Sequence, residues 1–84
     1  MEVLVSSAEK ELQRLKNNPK NVSFEDVDRL LTSHGFRRRN TGGSHFVFTS
    51  PSGQILTIPK HKPVKEHYVR AVVRIIENEE GEQE

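Results

Sequence analysis

Apolar residues recur with helical spacing toward both ends of the chain and alternate in its middle. Leu4, Ala8, Leu12 and Leu15 form one stripe of an amphipathic helix. Ser6 and Glu9 fit a capping box at its start. Asn17, Asn18 and Pro19 stop it, because proline cannot continue the hydrogen-bond ladder and restricts the residue before it. A second helix starts at Ser23, an N-cap with Asp26 at the third helical position. Val22 and Val27 flank that cap as a hydrophobic staple. Phe24, Val27, Leu30 and Leu31 make the apolar face, and Gly35 ends the helix. His34 at that end reads as structural, a cationic side chain favoured by the helix dipole.

Three short strands follow. Phe36 to Asn40 is rich in arginine and suits a sheet edge. Thr41, Gly42 and Gly43 turn the chain. Ser44 to Ser50 alternates, with Phe46 and Phe48 on one side and His45, Val47 and Thr49 on the other. Ser50-Pro51-Ser52-Gly53 fits a type I turn, and Gln54 to Ile58 is the third strand. A last helix is expected from Pro63, a residue suited to the first helical position. Its face is Val69, Val72, Val73 and Ile76, with Tyr68 and Ile75 beside it and His67 on its surface. The acidic residues after Glu77 sit where the helix dipole disfavours them, so residues 79–84 are expected to fray. The layout is helix, helix, three-stranded antiparallel meander, helix. It is an α+β domain with helices on one face of the sheet and the other face open.

Composition bounds this picture. The chain has 84 residues, enough for one domain with a modest core, and Leu, Ile, Val and Phe make up 23 of them. That apolar share lies above the level, roughly a fifth, where disorder becomes the default. There is no cysteine, so disulfides, thiolate zinc sites and a thiol nucleophile are excluded. No apolar run reaches the length of a membrane span, and no signal peptide is evident, which makes the cytoplasm the expected location.

Charge changes the picture more. Formal net charge is +1, but residues 1–28 carry −2, residues 29–76 carry +8, and residues 77–84 carry −5. A basic block of that density points to a polyanion partner, nucleic acid foremost. Within it Gly42-Gly43-Ser44-His45 is the sharpest local signal. It reads either as a phosphate contact at Gly43 and Ser44 beside a proton-transfer group at His45, or as a hairpin turn entering a strand. Lys60-His61-Lys62, with Lys65 beyond Pro63, reads as a phosphate-binding loop near a helix start or as a solvated connector. Arg37, Arg38 and Arg39 on one strand place side chains on both faces, either for phosphates or to guard the edge.

Between Arg29 and Ile76 the sole acid is Glu66. Magnesium-dependent nucleases hold the metal with carboxylates, so a nuclease here is expected to use neither metal nor other cofactor. RNA permits such a route. Its 2′-hydroxyl attacks the adjacent phosphate, an imidazole moves the proton, and cationic side chains stabilise the developing charge.

Gly43-Ser44-His45 with Pro59-Lys60-His61 downstream resembles the HicA family of mRNA interferase toxins. Leu30-Leu31 and His34-Gly35-Phe36 match the helix end and aromatic residue that precede the family's basic strand. The resemblance covers residues 22–78. Residues 1–19 resemble the extra N-terminal helix of a longer subgroup, all within a single domain of residues 1–84. Two positions depart from the family pattern. Phe46 stands where many members have a second histidine, and Val64-Lys65-Glu66 replaces the usual proline–glycine–threonine start of the last helix. The resemblance implies a fold like a double-stranded RNA-binding domain and ribosome-independent cleavage of mRNA. It implies His45 as the catalytic histidine, with His61 assisting or binding RNA, and a HicB-type antitoxin that covers the site. The competing expectations are a non-catalytic RNA-binding module, which would use the same basic surface, and a subunit whose basic face meets an acidic protein.

Overall fold

The structure, a computed structural model, describes residues 7–81. Leu4, Ser6 with its capping box, and residues 82–84 lie outside the described residues. The elements run α1 (Ser7–Asn17), α2 (Phe24–Ser33), β1 (Arg37–Asn40), β2 (His45–Thr49), β3 (Ile55–Pro59) and α3 (Glu66–Gly81). The strands pair antiparallel in the order β1-β2-β3. This is the α+β arrangement of a double-stranded RNA-binding domain, with one helix added at the N-terminal side.

Local chemistry explains α2. The Ser23 hydroxyl accepts the Asp26 N–H at 3.0 Å, as an N-cap does. Val22 and Val27 are both buried around that cap. At the other end Gly35 adopts φ +87°, which donates its N–H to Thr32 O and the Phe36 N–H to Leu31 O at 3.1 Å each. That pair of bonds closes the helix and turns Phe36 into the core. A side chain at Gly35 would carry backbone strain and also press on Pro51, whose Cγ lies 3.2 Å from the Cβ position.

The core lies between the helices and one face of the sheet. Phe48 and Ile58 are fully buried there, with Phe46 and Leu56 packed beside them. The Phe24 ring of α2 sits 4.9 Å from Phe46 and 6.3 Å from Phe48, in tilted geometry. α1 lies against α2 and α3 and buries Leu12 and Leu15 in the same core. Arg14 bridges from Glu11 at 2.8 Å to Asp26 of α2 at 3.1 Å, and Lys16 reaches Glu77 of α3 at 2.6 Å.

Two expectations about α3 change. It begins at Glu66, not at Pro63. The Val64 N–H donates to the Val22 carbonyl at 2.8 Å in an isolated bridge. That bond holds the chain around Val64 extended, and Lys65 then caps the helix through bonds from Tyr68 N and Val69 N. At the other end α3 continues through Gly81, where fraying was expected from residue 79. Glu79 is only 7% exposed and accepts a hydrogen bond from the Ser52 hydroxyl. The buried Ser50 hydroxyl lies 3.2 Å from that of Ser52. The turn between β2 and β3 thus anchors the end of α3 and offsets the unfavourable dipole. His34 caps α2 as expected, with Nδ1 3.7 Å from Glu80.

Candidate functional site

His45 opens β2, and its backbone is held from both sides. Its carbonyl accepts from Thr41 Oγ1 at 3.1 Å and from Thr41 N at 3.4 Å. The Lys60 N–H donates to the Ser44 carbonyl at 2.6 Å. Asn40 Oδ1 accepts the Gly42 N–H at 2.6 Å, which tightens the turn. A Cβ at Gly43 would meet nothing within 4 Å, and its φ is not positive. A side chain at Gly43 would thus meet neither backbone strain nor a neighbour. The His45 imidazole is exposed and, among the described residues, makes no hydrogen bond or ion pair. Both ring nitrogens are available to a ligand.

Register decides what stands beside it. Arg39 pairs with Val47 and Arg37 with Thr49, while Val47 and Thr49 share the face of His45. On the other side of β2, Thr57 pairs with Val47 and Pro59 with His45. The open face therefore carries His45, Arg39, Arg37, Val47, Thr49, Thr57 and Ile55. Ile55 is 67% exposed on it. No strand residue is acidic. Among the described residues no ion pair engages Arg37 or Arg39, so their charge faces solvent.

Arg38 points the other way. Its guanidinium pairs with Asp28 Oδ2 of α2 at 2.6 Å and lies 5.5 Å from the Phe46 ring centroid. It belongs to the helix-packed side, apart from His45. Lys60 also leans to that side, with Nζ 5.9 Å from the Phe24 ring centroid. His61, Lys62 and Lys65 form a second group. His61 and Lys65 line a cleft of about 380 Å³ beside the start of α3, and Lys62 lines an adjoining one. The His61 Nδ1 lies 3.4 Å from the Pro63 carbonyl. The structure thus places His45, Arg37 and Arg39 on one face of the sheet, with Gly43 and Ser44 in the turn that leads into it, and His61, Lys62 and Lys65 beside the start of α3. Lys60 connects the two. Lys20 and Asn21 line the His61 cleft as well. Nothing in the linear order singled them out, because they lie far from residues 60–65 along the chain.

Among the described residues, no three His, Asp or Glu side chains converge as metal ligands would. Among them, too, no helix is long and apolar enough to cross a membrane.

A comparison with family models then decides the kinship. The model described as HicA toxin of bacterial toxin-antitoxin matches residues 24–77. The chain belongs to the HicA toxin family. No curated protein sequence and no solved structure matches it. The HicA segment spans α2, the whole sheet and α3 as far as Glu77, and so contains both basic groups except Lys20 and Asn21. α1 lies outside that segment. In this HicA chain the helix is nonetheless part of the core, through Leu12 and Leu15.

Proposed function

We propose that this HicA toxin is a metal-independent endoribonuclease that cleaves mRNA at the open sheet face. The observation that carries the reading is an imidazole without internal partners on the same sheet face as two unpaired arginines, on strands without a single acid. In this scheme the His45 imidazole takes the proton of a ribose 2′-hydroxyl. The 2′-oxygen attacks the adjacent phosphorus, a bond from 2′-oxygen to phosphorus forms, and the bond to the 5′-oxygen breaks. The 5′-oxygen leaves with a proton from water. Arg39, opposite Val47, opposes the charge that builds on the phosphoryl oxygens, and Arg37, opposite Thr49, meets a phosphate farther along the strand. Gly43 and Ser44 let the backbone approach the phosphate. His61 stands in the loop group, which favours RNA binding over proton transfer for that residue. A HicB-type antitoxin is the proposed partner that masks the face.

The test is inducible expression of wild type and His45→Ala, scored for growth and RNA integrity, with cleavage by the purified protein. His45→Ala should cut cleavage by about 10²–10⁴-fold, the usual worth of general acid–base catalysis, while RNA binding persists. Products should end in a 2′,3′-cyclic phosphate, and cleavage should survive EDTA. A mutant within about tenfold of wild type removes His45 from the chemistry. A wild type that binds RNA and never cuts it supports a non-catalytic RNA-binding module instead.

A further inference from the structure

Two adjoining clefts open between the start of α2 and the start of α3. One, of about 380 Å³, is lined by Lys20, His61, Lys65 and Glu66 among others. The second, of about 550 Å³, is lined by Asn21, Ser23, Glu25, Lys62 and Pro63. Asn21 and Pro63 belong to both. The bases come from distant parts of the chain. Lys20 precedes α2, lies outside the HicA segment, and belongs to a stretch whose net charge is negative. The hydrogen bond from Val64 N to Val22 O, at 2.8 Å, holds this stretch beside Lys62 and Lys65.

These bases differ from others in the molecule. Arg14, Lys16, Arg29, Arg38 and Arg70 each pair with a carboxylate. Among the described residues Lys20, Lys62 and Lys65 pair with none. Of the two acids that line the clefts, Glu66 is held by Arg70 and only Glu25 is uncompensated. Three lysines against one unpaired acid leave the clefts cationic. They also continue from the His45 turn, since Lys60 is bonded to Ser44.

We propose that these clefts hold the phosphate backbone of the RNA strand as it leaves His45, with Lys20 as a phosphate contact. The inference rests on the reading of the chain as an RNA-directed toxin and extends it to where the strand runs. Lysine suits the task as a point charge that positions a strand without reading its bases.

The experiment compares Lys20→Glu with Lys10→Glu, which makes the same change of net charge at an exposed site on α1. Affinity for a labelled poly(U) oligonucleotide is measured by anisotropy across salt concentrations, in a His45→Ala background that leaves the RNA intact. Lys20→Glu should weaken binding about tenfold at low salt and flatten the slope of log affinity against log salt by about one, while Lys10→Glu stays within about twofold. Lys20→Gln should flatten the slope equally with a smaller loss of affinity. Equal effects of Lys20→Glu and Lys10→Glu overturn the proposal. So does intact RNA affinity with a selective loss of binding to an acidic protein. If the His45-intact protein never cuts RNA yet Lys20→Glu still weakens binding selectively, the cleavage reading falls and the cleft assignment stands.

Discussion

Neighbouring arginines on β1 meet opposite surroundings, and substitution should separate them. Arg38 pairs with Asp28 and lies against Phe46. An exposed ion pair and a cation–π contact of this kind contribute about 1 kcal/mol together. Arg38→Ala should therefore lower stability by about that amount in urea unfolding, with RNA affinity within about twofold of wild type. Arg39→Ala should do the reverse, losing RNA affinity at unchanged stability. Glu79 makes a second prediction at this scale. The Ser52 hydroxyl donates to its carboxylate and holds its pKa below the ordinary value of 4.5, with smaller help from Ser50. A depressed folded-state pKa means stability that is present above the unfolded value and lost as pH falls through the folded one. Burial pushes the Asp26 carboxyl up, yet hydrogen bonds from Arg14 and Ser23 together hold it lowered, and a hydrogen bond from Arg14 lowers Glu11. Wild-type stability should thus fall as pH drops below about 4.5, and Glu79→Gln should flatten part of that fall in urea unfolding. An unchanged pH profile in Glu79→Gln would show that the clasp does not sense protonation.

At the scale of elements, α1 poses the clearest question, because the HicA segment begins after it. Leu15 is buried between α1 and its neighbours. Leu15→Ala should cost about 2–5 kcal/mol in denaturant unfolding, the range for a truncated core leucine. A cost below about 0.5 kcal/mol would mark α1 as a dispensable appendage. Ser23→Ala should cost about 1 kcal/mol through the lost cap of α2. The stripe of α1, the caps of α2 and the alternation of β2 were legible because each depends on neighbours in the chain. The start of α3 was not. Pro63 has the right chemistry for a first helical position, but a backbone bond to Val22, remote in the chain, holds its neighbour extended. The far end of α3 likewise meets partners remote in the chain. A C-terminal dipole disfavours Glu79, but the turn at Ser50–Ser52 gives its carboxylate a hydrogen bond, while Lys16 and His34 lie against Glu77 and Glu80.

Across the whole molecule, charge is sorted by face. Glu9, Glu77 and Glu80, with Lys16 paired to Glu77, line one cleft between α1 and α3, while the open sheet and the Lys20–Lys65 clefts carry bases without ion-pair partners. RNA binding should accordingly weaken steeply with salt. Lys62→Ala should remove about one counterion's worth of that slope at any RNA sequence. If Lys60→Ala and Lys62→Ala both leave affinity unchanged at every salt concentration, the loop is only a connector and the strand runs along Arg37 and Arg39 alone. An acidic partner should bind the same face quickly at low salt, because opposite fields steer encounter.

The order of residues alone determined the element types, the three-stranded meander, the basic block and the Gly43-Ser44-His45 motif. These follow from spacing, capping and charge, which act over a few residues. Which arginines join His45 was half legible, since a period of two places Arg37 and Arg39 together and Arg38 apart, yet only the pairing register says which pair shares the histidine's face. The union of Lys20 with Lys62 and Lys65, the anchoring of Glu79 by Ser52, and the late start of α3 were decided by tertiary structure. Each depends on a hydrogen bond or packing contact between segments far apart in the chain, and no local periodicity encodes such a meeting.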